Sequence, residues 1–282
     1  MHNHRRFPRK LLYVYPVISR RSRGLSIGVN LSPAKTCNFR CVYCDSDRAA
    51  RPRAYRVDLQ VIEAELRATL LSWKNGTLFD DPRLASVPKH LRRLNDIAIS
   101  GDGEPTLCPK FEKVVRLVAQ LKQKLCPPAV KLVLITNASR LHVPSVQQGL
   151  KVLDASNGEI WAKLDAGTPS HFKILNRSWG VTFSRVAANL IQTAHIRPLV
   201  IQTMACAIRG RPPSARNLDG YTRVLNGILE AGGRVRDVHL YTVSRATAEP
   251  WVTPLTKWQL KKIAARIHRA TGLKVSVFPS TL

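Results

Sequence analysis

The stretch Thr36–Asp47, TCNFRCVYCDSD, places Cys37, Cys41 and Cys44 within eight residues, and the other three cysteines, Cys108, Cys126 and Cys206, lie scattered downstream. Sulfurs at i, i+4 and i+7 admit three readings. On a helix they would form one buried stripe of small apolar side chains, but Pro33 and Lys35 before them and Asp45-Ser46-Asp47 after them are the flanks of a loop. A structural zinc ion takes four Cys or His ligands at close spacing, and the nearest histidines are His4 and His90. Three thiolates that leave one position for a ligand from outside the chain suit a [4Fe-4S] cluster.

Outward from this loop, short apolar runs alternate with helical periodicity, the order expected of parallel strands joined by crossover helices. Strands are expected at Gly24–Ser32, Asp96–Gly101, Lys131–Asn137, Glu159–Asp165, Leu199–Ala207 and Val238–Ser244. Helices are expected over about 57–73, from Phe111 to Leu125, around 184–194, over 215–231 and at Lys257–Thr271. The segment Lys74–Arg93 reads as an irregular basic insertion, and Lys274–Ser280 as an extra edge strand at the C-terminal end. Six βα units fall short of a closed eight-strand barrel, so an open, partial (β/α)6 barrel is expected over residues 24–282, preceded by a basic arm over residues 1–23. In βα barrels reactive groups sit where strands end.

Those strand ends carry polar residues. The second strand runs into SGDGEPTL, where Gly101 and Gly103 permit close backbone approach and Glu104 offers an acceptor for an ammonium group. A tight turn capped by its own glutamate is the plainer reading. Thr136 and Asn137 end the third strand. Lys163 and Asp165 alternate onto one side at the end of the fourth, where a buried lysine requires a partner. A salt bridge to Asp165 or Glu104 satisfies it; contact with substrate, as a charge or as a Schiff-base amine, is the functional alternative. Gln202, Thr203 and Tyr241 end the fifth and sixth strands.

The CxxxCxxC loop with Tyr43 before its last cysteine, followed by GDGEP, resembles the radical S-adenosylmethionine (SAM) superfamily. The resemblance implies that Cys37, Cys41 and Cys44 hold a [4Fe-4S] cluster whose free iron binds SAM. It also implies that an electron from the reduced cluster cleaves SAM to methionine and a 5′-deoxyadenosyl radical, which abstracts hydrogen from substrate. Tyr43, Gly101, Asp102, Gly103, Glu104, Thr136, Asn137, Asp165 and Gln202 would bind the cofactor, with Lys163 and Asp165 as candidate catalytic residues. The segment KLDAGTPSHFKILNR looks like the branch that holds the wyosine-tRNA synthases. Those enzymes carry a second cluster on three cysteines ahead of the loop, and no cysteine precedes Cys37.

Composition bears on the partner. The chain has 282 residues with 45 Lys plus Arg against 18 Asp plus Glu, a net charge of +27, which points to a polyanionic partner; the resemblance to the wyosine-tRNA synthase branch implies that this is tRNA. A small molecule, peptide or protein substrate with incidental charge is the second reading, and a non-catalytic metal module on nucleic acid the third. The resemblance further implies an electron donor such as flavodoxin or ferredoxin. No apolar run reaches the roughly 20 residues of a spanning helix, and six cysteines without a regular framework fit a reducing compartment. A soluble, cytoplasmic protein is expected.

Overall fold

The computed structural model describes residues 11–46 and 56–280; residues 1–10, the head of the expected basic arm, lie outside the described residues. The chain divides into two compact units. The first comprises residues up to Thr36, Pro52–Ile135 and Val143–Glu159; the second comprises Cys37–Arg51, Thr136–His142 and Ile160–Leu282.

In the first unit the strands β1 (Val14–Ser19), β2 (Gly24–Val29), β3 (Leu94–Ile99) and β4 (Lys131–Thr136) lie side by side in that order. β1 runs antiparallel to β2, and β2, β3 and β4 are parallel. Helix α1 (Leu59–Lys74) buries Ile62, Leu66 and Leu70, spaced by four residues as one face requires, and Asp58 caps its start. Helix α2 (Phe111–Leu125) buries Phe111, Val114, Val115, Val118 and Leu121, the face expected from the periodicity. Helix α3 (Pro144–Asp154) is absent from the sequence reading. Its Pro144 and Gly149 look like breakers, yet proline is at home in a first helical turn, and Gly149 lies where a Cβ would meet the Phe111 ring at 2.7 Å.

The expected arm needs correction within the described residues: Val14–Ser19 belongs to the sheet. A carboxylate fixes its entry, for Glu65 of α1 accepts the backbone N–H groups of Leu12, Tyr13 and Val14 at 2.7, 2.8 and 3.0 Å. Glu65→Ala should lower the unfolding free energy by about 2 kcal/mol, measured by urea denaturation, with amide exchange accelerated at the start of β1. The Lys74–Arg93 insertion contains two short 3-10 turns, Thr77–Asp80 and Lys89–Leu91. Its Arg92 donates to the carbonyls of Val87 and Ala85 and lies over the Phe79 ring, so this guanidinium folds the insertion itself.

In the second unit β5 (Gly158–Lys163), β6 (Leu199–Met204), β8 (Val235–Tyr241) and β10 (Val275–Phe278) are parallel neighbours in that order, with β10 at the expected edge. Helices α4 (Pro169–Leu175), α5 (Phe183–Ile196), α6 (Ala215–Glu230) and α7 (Lys257–Thr271) each begin at a Ser or Thr whose hydroxyl accepts a first-turn N–H: Thr168, Thr182, Ser214 and Thr256. The fifth strand, expected to run through Ala207, ends at Met204. After Ala205 the chain forms β7 (Cys206–Ile208), which pairs antiparallel with β9 (Val252–Pro254). Among the described residues no helix is long and apolar enough to cross a membrane.

Candidate active site

The cysteine loop is pinned by the residues between its sulfurs. Phe39 is buried and meets Phe172 of α4 edge-on at 5.4 Å, and Val42 packs into a cluster with Leu175, Met204, Cys206, Val243 and Val252. The backbone is zipped to the chain that follows α4. Arg40 N–H donates to the carbonyl of Asn176, Val42 N–H to that of Leu175, and Trp179 N–H to that of Asn38. With Phe39 and Val42 turned into the core, the three cysteines keep partial exposure, and all are free thiols. Two sulfurs face N–H donors: Cys37 Sγ accepts from Phe39 N–H at 3.4 Å and lies 3.9 Å from Asn137 Nδ2, and Cys41 Sγ accepts from Asn176 Nδ2 at 3.4 Å.

Asn137 closes this arrangement from the end of β4. Its amide donates to Asn38 Oδ1 at 2.8 Å and its oxygen accepts Ser139 N–H, while Thr136 Oγ1 accepts the N–H of Ala138. Ala138 has φ of 62°, a left-handed conformation that costs a non-glycine residue about 1 kcal/mol, held by these two side chains. The expected cofactor residues Thr136 and Asn137 thus shape their own turn and hold the cysteine loop.

Beneath the loop Asp165 is a hub. Its carboxylate accepts from Tyr43 Oη at 2.5 Å, Asn176 Nδ2 at 3.0 Å and Met204 N–H at 2.9 Å, and it pairs with Lys163 Nζ at 3.2 Å. Each oxygen takes two donors, which fills the acceptor capacity of a carboxylate. A cofactor group bound at Asp165, as the resemblance implies, would have to displace one of them. The salt bridge between Lys163 and Asp165, one of the two sequence readings for this lysine, is present, and Lys163 Nζ also donates to Tyr241 Oη at 2.6 Å. Burial alone would lower the Lys163 pKa, but Asp165 and then Tyr241 and Cys41 outweigh it and hold the ammonium above its usual range. Burial, reinforced by Asp165, pushes the Cys41 thiol up to about 11 and the Tyr43 phenol well above its ordinary value.

Gln202, fully buried, lies in register between Lys163 on β5 and His239 on β8, which in turn pairs with Ser276 on β10. His239 is flanked edge-on by Trp161 and Phe278, each at 5.2 Å. Of this row Lys163 and Gln202 were singled out from the sequence, whereas His239 and Ser276 escaped it, because each sits mid-strand among apolar residues.

The LDAG glycine has a steric reason. Gly167 N–H donates to Asn217 Oδ1 at 2.8 Å, and a Cβ there would lie 2.0 Å from both Asn217 O and Tyr221 N. Gly167→Ala should therefore cost about 2–3 kcal/mol of stability, visible as a lowered Tm.

In the first unit the GDGEP turn is built on β2. Asn30 Nδ2 donates to Asp102 at 2.8 Å, and Asn30 Oδ1 accepts Ser32 N–H at 2.9 Å and Asp102 N–H at 3.3 Å. Gly101 has φ of 156°, and a Cβ there would meet Asn30 at 2.4 Å; a Cβ on Gly103 would lie 2.0 Å from Thr36 O. Glu104 is buried, donates its N–H to Thr36 O at 3.0 Å, and caps the following 3-10 turn through Thr106 N–H at 3.1 Å and Thr106 Oγ1 at 2.5 Å. The self-capping turn weighed from the sequence is what forms, and it grips the residue directly before Cys37. Asn30 was missed; an asparagine at a strand end carries no signal until its partner is known.

Of the three remaining cysteines, Cys206 is buried in the cluster that holds Val42, and Cys108 and Cys126 are partly exposed. Burial raises Cys108, Cys126 to about 11 and Cys206 to about 12.

Among the described residues no three His, Cys, Asp or Glu side chains converge as they would around a single metal ion. The sulfurs of a cubane ligand set bind different irons and need not converge on one point. N–H donors aimed at two sulfurs, together with the buried Oδ1 of Asn176, which has no hydrogen-bond partner, fit a loop that receives an anionic cluster and a polar ligand.

No protein-family model matches the chain. Among curated proteins it is 30% identical over 204 residues to a UPF0026 protein of Helicobacter pylori strain J99, covering 72% of this chain and 58% of that one. A second Helicobacter pylori UPF0026 protein is 27% identical over 234 residues, covering 83% and 66%. A protein of Brachyspira hyodysenteriae named GTPase Obg is 23% identical over 268 residues, which is 93% of this chain but 34% of the relative. The chain therefore spans between a third and two thirds of these relatives, and it contains no GxxxxGK[ST] phosphate-binding loop. Among solved structures, TYW1 with a lysine-pyruvate adduct bound aligns with a TM-score of 0.55 at 13% identity, over 90% of this chain and 75% of that one. Streptococcus suis SuiB bound to S-adenosylmethionine aligns at 0.57 and 13%, over 92% and 52%, and SuiB bound to the precursor peptide SuiA at 0.58 and 15%, over 91% and 49%. These likenesses extend over both units, and they establish the architecture: the chain has the mixed α/β, partial-barrel fold of radical SAM enzymes.

Proposed function

We propose that the protein is a radical SAM enzyme in which Cys37, Cys41 and Cys44 ligate three irons of a [4Fe-4S] cluster. The observation that carries this is the cysteine loop itself: three free thiols held partly exposed by buried Phe39 and Val42, with amide donors at two sulfurs. When bound, cluster and SAM would supply the 5′-deoxyadenosyl radical. The chain's own residues would do the rest. Asn137 and Asn176 would favour anionic sulfur by donating to Cys37 and Cys41. Asn176 Oδ1 would accept a hydroxyl or amino group of the ligand. Lys163, kept as an ammonium by Asp165, would contact substrate as a charge. Condensation with a carbonyl, as in the lysine-pyruvate adduct of TYW1, would first require that ammonium to lose its proton. Gln202 and His239 would line the substrate end of the same strands.

The net charge of +27 favours RNA, in the first place a tRNA base, as the substrate; a peptide, as bound by SuiB, is the second reading. A flavodoxin or ferredoxin would deliver the electron in the cytoplasm. Anaerobic reconstitution with iron and sulfide, followed by dithionite and SAM, should yield 5′-deoxyadenosine. Zinc retained in place of iron would overturn the enzyme reading. Binding to tRNA should weaken with salt at a log-log slope of about 0.7 to 0.9 per phosphate contacted; salt-insensitive binding would overturn the RNA assignment.

A further inference from the structure

The ladder that anchors the cysteine loop also displays a side chain that anchors nothing. Trp179 gives its backbone N–H to Asn38 O, at the strand-like turn where Phe39 pairs with Ser178, yet its indole is 85% exposed. Gly180 follows with φ of 67° and open space around it, a turn that leaves the ring at the tip. Around the same loop stand four exposed arginines. Arg40 lies within it, Arg177 and Arg209 place their guanidinium groups 5.6 and 5.7 Å from the Trp251 ring, and Arg245 pairs with Asp45 beside Cys44. Glu249 is paired with Arg177. Among the described residues, two carboxylates against four arginines make this rim positive, in a chain that is already strongly basic.

Two kinds of partner suit a positive rim, an acidic protein and a nucleic acid, and the apolar content decides between them. A standard protein interface buries about 800 Å² per partner around an apolar centre. Among the described residues the exposed large apolar side chains beside the cysteine loop are Trp179 and Ile174, too few for such a centre. A single projecting indole, two residues along the chain from exposed Arg177 and across the backbone ladder from exposed Arg40, offers what an unpaired base requires: one ring face to stack upon and cations for the flanking phosphates. We infer that the rim formed by Trp179, Arg40, Arg177 and Arg209 is a stacking site for an unpaired base of RNA, holding it beside the cysteine loop. This rests on the proposal above for the choice of RNA, and it adds where and how the chain grips it.

The test uses the full-length reconstituted protein, a labelled RNA stem-loop with an unpaired loop, a fully paired RNA duplex of equal length, and a reduced ferredoxin. Trp179→Ala should weaken stem-loop binding about 5- to 100-fold and leave duplex binding unchanged, while Trp179→Phe stays within about 3-fold of wild type. Arg40→Ala should lower the log-log salt slope for the stem-loop by about 0.7. Trp258→Ala is the control, since Trp258 is 63% exposed with the Lys262 ammonium over its ring but stands on α7; stem-loop binding should survive it. Equal losses in the Trp179 and Trp258 alanine variants, or none in Trp179→Ala, would overturn the stacking site. Ferredoxin binding abolished by Trp179→Ala, with RNA binding intact, would reassign the rim to an electron donor. Production of 5′-deoxyadenosine by the wild type is measured in parallel. Its absence alongside Trp179-dependent RNA binding would remove the enzyme reading and keep the stacking site; its presence with Trp179-independent binding would do the reverse.

Discussion

Cys41→Ala should abolish cluster assembly and lower reductive SAM cleavage by about 10³-fold or more, a rise of at least ~4 kcal/mol in the barrier. Burial and Asp165 raise the Cys41 pKa, and Asn176 donates to its sulfur. In the proposed cluster, iron would have to displace a proton that the thiol holds firmly, and the amide donor would then compensate the buried negative charge. Iron and sulfide content after anaerobic reconstitution, with the visible absorption of the cluster, reads the first effect; 5′-deoxyadenosine formation reads the second. The alanine side chain fits the loop, because Phe39 and Val42 carry its packing. A folded variant without iron is the expected outcome, and a variant that keeps full iron content and cleavage would disprove the ligand assignment.

Asp165→Ala should lower the unfolding free energy by about 3–5 kcal/mol. The mutation strands the Lys163 ammonium, which is 17% exposed at its side chain, with Tyr241 as its remaining close polar partner. It also removes the acceptor for Tyr43, Asn176 and the N–H of Met204. Asp165→Asn keeps the shape but cannot accept four donors, and should cost about half as much. The double variant Asp165→Ala with Lys163→Met should recover a large part of the loss, because a buried ion pair replaced by apolar groups of similar volume is often neutral. Thermal and urea unfolding of the three variants measure this. Equal stability of the single alanine variant and the wild type would show that the hub does not hold the site.

The fold was legible because its signals are local. Alternating apolar runs and helical periodicity set the parallel strands and the crossover helices α1, α2, α5, α6 and α7 within a few residues. The reading failed where residues with helix-breaking reputations occupy positions that tolerate them, as Pro144 does at the start of α3, and where a short apolar segment between basic residues, Val14–Ser19, finds a partner strand. The site was legible in its residue types and less so in their duties. Asp165 and Lys163 were located but their mutual saturation was one of two open readings, and Asn137 and Glu104 prove to hold backbone around the cysteine loop and its preceding residue. Asn30, Asn38 and Asn176 were hard to see, since an asparagine declares itself only through the partner it meets in three dimensions.

The saturation of Asp165 has a consequence for how such a protein can diversify. Because each of its four donors depends on the same carboxylate, single substitutions among Tyr43, Lys163, Asn176 and Asp165 lead downhill, and a lineage would have to change two of them together. The row of Gln202, His239 and Ser276 on the neighbouring strands supplies none of the four donors that fill the Asp165 carboxylate. Descendants that come to accept a new substrate should vary there first, leaving the machinery beneath the cysteines as the inherited part and the strand row as the adaptable one.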